Sequence, residues 1–101
     1  MPDFVEVTSF DAVPEGRGAA FTVAGKAIAL FNVGGTIYAI DDGCLHHGSS
    51  LASGRLDGNV VTCPAHGWRY NVTTGFLSHV PDYGVACYAV QVTDGKVFVA
   101  V

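Results

Sequence analysis

At 101 residues the chain has room for one domain with a modest core, and none for a carrier domain joined to a separate catalytic one. Half of its residues are apolar and 14% are charged, a balance that excludes a disordered chain. Nine carboxylates against Lys26, Lys96, Arg17, Arg55 and Arg69 leave a net charge of −4, and without a basic cluster to neutralise phosphates the sequence excludes nucleic acid as a partner.

The first residues, MPDFVEVTSF, contain no basic leader and no apolar run before Glu6, so no signal peptide is expected. No stretch approaches the roughly 20 apolar residues of a membrane helix, and the expectation is a soluble, cytoplasmic protein with no membrane partner. Phe4-Val5-Glu6-Val7 has strand composition, and Val13-Pro14-Glu15-Gly16 interrupts it with turn residues. Ala19 to Val23 and Lys26 to Val33 are apolar and β-rich around a turn at Gly25. Gly34-Gly35 then divides KAIALFNV from TIYAID, which reads as a tight hairpin. Asp41-Asp42-Gly43 reads as a solvated turn closing that sheet.

Further along, Arg55 to Val61 is expected to form a small hairpin with Asp57-Gly58 at its bend. Trp68 and Tyr70, one residue apart, fall on one face of a strand and are expected to pack into the core. A turn at Thr74-Gly75 follows, then a loop over residues 80–84. Tyr88 to Val92 and Lys96 to Val101 flank Asp94-Gly95 as a last hairpin. The apolar runs are short and β-branched, so no helix is expected and the fold class is all-β.

The chemistry is concentrated between Cys44 and His66, CLHHGSSLASGRLDGNVVTCPAH, which holds two of the three cysteines and three of the four histidines. It opens with Cys44-x-His46 and closes with Cys63-x-x-His66, separated by the 16 residues from His47 to Thr62. A thiolate is a soft anionic donor and an imidazole a neutral one, and both zinc and iron–sulfur iron accept them. Two of each suffice for one tetrahedral zinc or for the terminal positions of a two-iron cluster. Structural zinc sites usually draw on pairs of like type, C-x₂₋₄-C with H-x₃₋₅-H, whereas each pair here mixes the two.

The four positions together resemble the motif of Rieske-type ferredoxins, in which histidines replace two cysteines of a [2Fe–2S] centre. Gly48 after the first pair, Pro64 after the second cysteine, Gly67-Trp68 and Thr74-Gly75 extend the likeness. The resemblance implies one [2Fe–2S] cluster, with Cys44 and Cys63 on one iron and His46 and His66 on the other. It also implies a single Rieske-like domain, a small antiparallel sandwich or barrel carrying an inserted cluster-binding part of two loops. That part would span about residues 42–75, on a basal part of about 1–41 and 76–101.

As a family expectation, such a chain is a one-electron carrier from a flavin-containing reductase to the terminal oxygenase of an aromatic-ring dioxygenase system. It would act as a monomer and would not itself be an enzyme. A catalytic oxygenase would need a further mononuclear iron site, and after Val72 only His79 remains. The small subunit of an assimilatory nitrite reductase, which shares the fold, is the second reading, and a structural zinc domain the third. The outer edges of His46 and His66 would be the exit for the electron.

His47 and His79 are expected at the surface, and Cys87, in the apolar VACYAV, is expected to be a buried inert thiol. Respiratory members of the family add a disulfide between the two loops. Its positions correspond here to Ser49 and Ala65, so that disulfide cannot form. They also place a serine where Trp68 stands, a donor to a cluster sulfur. Its loss sets the expected potential nearer the roughly −150 mV end of the Rieske range than the +300 mV end.

Overall fold

A computed structural model describes residues 4–43, 50–64, 67–78, 80 and 82–100. Ten strands are present among them: β1 (Phe4–Ser9), β2 (Gly18–Val23), β3 (Lys26–Val33), β4 (Thr36–Asp41), β5 (Arg55–Asp57), β6 (Val60–Thr62), β7 (Arg69–Asn71), β8 (Cys87–Tyr88), β9 (Val90–Thr93) and β10 (Lys96–Ala100). The helical content of the described residues is two single 3₁₀ turns, Phe10–Ala12 and Leu51–Ser53. The all-β expectation therefore stands.

The strands form three antiparallel sheets, ordered β1-β10-β9, β2-β3-β4-β8 and β5-β6-β7. The four-stranded sheet is the middle layer, because both of its faces are buried. Alternation on β3 and β4 sends Ile28, Leu30, Ile37 and Ala39 into one core, where they meet Val97 and Val99 of β10. The opposite face sends Ala29, Phe31 and Ile40 into a second core with Leu51, Val61, Cys63, Tyr70, Val72 and Leu77. A strand buried on both sides has no polar face, which is why KAIALFNV is almost continuously apolar.

Its one polar interior residue, Asn32, is 3% exposed. Its Nδ2 donates to the Val13 carbonyl at 2.9 Å and its Oδ1 accepts from the Gly35 N–H at 2.9 Å. The side chain thus joins the Pro14–Gly16 turn region to the Gly34-Gly35 hairpin. Gly34 and Gly35 hold φ of 59° and 94°, the left-handed conformation such a two-residue turn requires. The bend between β5 and β6 falls at Gly58-Asn59, one residue later than the sequence suggested, with Gly58 at φ 62°.

Candidate metal centre

The expected ligand pairs fall in two segments of the chain, and the described residues that flank each show how its ends are held. Strand β6 ends at Thr62, and the chain returns as β7 from Arg69. Across the intervening loop the Cys63 N–H donates to the Trp68 carbonyl at 2.7 Å, and the Gly67 N–H donates to the Cys63 carbonyl at 3.0 Å. The loop is therefore closed on itself directly at Cys63. Gly67, at φ 76°, supplies the left-handed residue that turns the chain back. Cys63 is 1% exposed, packed with Leu51, Val61 and Tyr70. Tyr70 is wholly buried and Trp68 half-buried against the same core, the packing role expected for this aromatic pair.

The other loop is closed at its base by an antiparallel bridge between Gly43 and Ser50. Asp42 fastens it: its Oδ1 accepts from the Ser50 hydroxyl and from the Ala52 N–H, each at 2.9 Å, and its carbonyl accepts from the Leu51 N–H at 2.7 Å. Leu51 then enters the core that contains Cys63. The two loop bases are thus joined through one apolar cluster. Between them, Gly54 lies so close to the Thr62 carbonyl that a Cβ there would overlap backbone.

Asp41 does the same for a third segment. Its Oδ1 accepts from the Tyr88 hydroxyl at 2.6 Å and its Oδ2 from the Ala86 N–H at 3.1 Å, while its own N–H donates to the Ala86 carbonyl at 2.9 Å. Burial first, then the hydrogen bond to Asp41 and its charge, push the Tyr88 hydroxyl up to about 12. The Lys26 Nζ sits 5.7 Å from the centre of the Tyr88 ring. The expectation of a merely solvated Asp-Asp-Gly turn is corrected here. Asp41 ends β4 and Asp42 lies just beyond it, so the two carboxylates grip different segments.

The segment gripped by Asp41 continues the loop at residues 80–84. The Leu77 N–H donates to the Tyr83 carbonyl at 2.7 Å and the Val85 N–H to the Gly75 carbonyl at 2.8 Å. Gly75, at φ 83°, and Gly84 meet where the segments cross, and a Cβ on either would overlap the other segment's backbone.

The expected ligands Cys44, His46 and His66 lie outside the described residues, as do His47 and His79. Cys87 corrects a second expectation. It is exposed on β8 rather than buried, because β8 is a two-residue edge strand whose face is left uncovered at that point. Its Sγ donates to the Thr73 carbonyl at 3.5 Å, and partial burial raises the thiol above its ordinary value. Among the described residues no group of three or more His, Cys, Asp or Glu side chains gathers elsewhere into a metal site. Nor is any helix among them long and apolar enough to cross a membrane.

Neither Asp42 nor Asn32 was identified from sequence as a structural anchor. The available signals were an asparagine inside an apolar strand and a carboxylate two residues before the first cysteine.

The family described as the Rieske [2Fe-2S] domain matches residues 3–94. Ferredoxin CarAc of Metapseudomonas resinovorans is 39% identical over 79 residues, 77% of this chain and 74% of its own length. The ferredoxin of carbazole 1,9a-dioxygenase from Nocardioides aromaticivorans IC177 superposes with a TM-score of 0.89 at 30% identity, covering 96% of both chains. A chain in the complex of reduced oxygenase and oxidized ferredoxin in carbazole 1,9a-dioxygenase superposes with a TM-score of 0.86 at 33% identity, covering 96% of this chain and 92% of that one.

Proposed function

The chain belongs to the Rieske [2Fe-2S] domain family, and from that membership we propose that it is the one-electron carrier of a multicomponent oxygenase system, with Cys44, His46, Cys63 and His66 as the cluster ligands. The observation that carries the reading is Cys63. It stands at the end of β6, 1% exposed, in a loop whose two backbone hydrogen bonds fix its position. A thiol so placed is preorganised as an inward ligand, and the donor set of two thiolates and two imidazoles fits a Rieske cluster in type and number.

When bound, the cluster supplies a reversible one-electron couple at moderate potential, since two neutral imidazoles replace two anionic thiolates. This chain's residues do the rest. The Gly43–Ser50 bridge and Asp42 hold the first loop, and the Cys63–Trp68 and Gly67–Cys63 hydrogen bonds hold the second. Leu51, Val61 and Tyr70 keep water from the Cys63 side. We assign the cluster-binding part to about residues 42–75 and the basal part to about 1–41 and 76–101. The separate β5-β6-β7 sheet supports that division.

The relatives described as ferredoxins of carbazole 1,9a-dioxygenase support an aromatic-ring oxygenase as electron acceptor. In this reading a flavin-containing reductase is the donor, and the carrier is a cytoplasmic monomer. The test is an optical and low-temperature EPR spectrum before and after dithionite. A reddish-brown protein whose reduced form has a rhombic signal, with average g below that of an all-cysteine cluster, is expected. A colourless, EPR-silent protein with one zinc per chain would replace the carrier with a structural zinc domain.

A further inference from the structure

On the β5-β6-β7 sheet, Val61 and Tyr70 face the core, so Arg55, Thr62 and Arg69 face outward. The register places these three in one row, Arg55 opposite Thr62 and Thr62 opposite Arg69. The two exposed arginines are therefore two strand spacings apart, about 10 Å. This is the row adjoining the loop that carries Cys63. The acidic residue of the same face, Asp57, pairs with Val60 at the far end of the sheet. Among the described residues no carboxylate forms an ion pair with Arg55 or Arg69.

A groove of about 540 Å³ lies along the row, lined by Arg55, Thr62, Arg69 and Ser78 and, at its other end, by Asp57 and Val60, so two guanidinium groups share it with one carboxylate. A second, of about 370 Å³, shares Arg55 and is lined by Arg17. The three arginines of a chain with net charge −4 thus line two grooves that have Arg55 in common.

We infer that this arginine row is a docking surface for a partner protein that presents carboxylates about 10 Å apart. Resting on the carrier reading, the inference orients that partner over the 63–68 loop. The average surface of an acidic protein repels an acidic partner, so a local cationic row beside the redox loop selects one approach among many. Guanidinium forks take carboxylates in bidentate fashion, and Thr62 between them adds a hydroxyl.

The test is fluorescence anisotropy of a labelled hexaglutamate peptide, a probe that needs no cluster for its signal. The wild-type protein is expected to bind it at about 10 mM salt and to lose at least about tenfold in affinity at about 300 mM. The Arg55→Gln/Arg69→Gln variant is expected to lose a similar factor at low salt while keeping its melting temperature. Bound peptide should also slow reoxidation of the reduced protein by ferricyanide. Equal affinity of variant and wild type overturns the inference. So does displacement of the peptide by inorganic phosphate at matched ionic strength, which would make the row a small-anion site. A chain with no two-histidine EPR signal that still binds through Arg55 and Arg69 defeats the carrier reading alone, and an EPR-positive chain that does not bind defeats only the docking surface.

Discussion

Two adjacent carboxylates, Asp41 at the end of β4 and Asp42 just beyond it, do different work because they reach different segments. Asp42 accepts from Ser50 and Ala52 beside the segment that holds the first proposed ligand pair. Asp42→Ala leaves both donors without their charged acceptor, and the expected cost is about 2 kcal/mol in urea denaturation, with iron content falling further than the stability loss accounts for. Retention of full iron content would show that the loop holds its ligands without this anchor. On the other side, Tyr88 keeps its proton to about 12 against an ordinary value of 10.0. Its contribution to stability is complete below about pH 10, where folded and unfolded chains are both protonated, and is lost as pH rises toward about 12. Tyr88→Phe should remove that part of the alkaline slope in thermal melts taken across this window. Asn32→Leu, which orphans the Val13 carbonyl and the Gly35 N–H, is expected to cost about 2 kcal/mol. The candidate ligands stand out in the sequence because Cys-x-His and Cys-x-x-His are local patterns. The anchors were not, because the partners of Asp41, at Ala86 and Tyr88, are 45 and 47 residues away.

At the scale of elements, the hairpins were readable wherever glycine marked a left-handed turn, as at Gly34-Gly35 and in Asp94-Gly95. The layering was harder to see. An apolar run such as KAIALFNV is equally compatible with one buried face or two, and the answer depends on Val97 and Val99 some seventy residues later. The Gly75–Gly84 crossing shows the same limit, since Thr74-Gly75 reads as a simple turn. Its glycine is required twice over, by φ 83° and by the Val85 carbonyl against it. Gly75→Ala is therefore expected to cost about 2–3 kcal/mol, whereas Gly34→Ala, with open space around it, should cost only the conformational term of about 1 kcal/mol. Equal costs in urea denaturation would mean that the crossing relaxes. Cys87 was misread for a related reason: an apolar sequence neighbourhood says nothing of whether an edge strand is covered. Its raised pKa predicts slow alkylation near neutral pH despite its accessibility.

For the whole molecule, the Rieske likeness was legible because four motif positions and their flanks lie within one contiguous stretch. The arginine row was not, since Arg55 and Arg69 come together only through the register of β5, β6 and β7. With Trp68 standing where respiratory relatives place a serine, the whole protein is expected to titrate near the lower end of the Rieske range, and a midpoint above about +150 mV would refute this. Pairing of β1 with β10 has a consequence for biosynthesis. On the ribosome, Phe4–Ser9 emerges before Lys96–Ala100 and must wait for it before its edge is satisfied, while β5, β6 and β7 can zip locally as soon as residue 71 is clear of the tunnel. The nascent chain then completes the β5-β6-β7 sheet before the β1-β10-β9 sheet. Pulse-labelled hydrogen exchange during refolding should find the amides of β6 protected before those of β1, and the reverse order would mean that the β1–β10 pairing comes first.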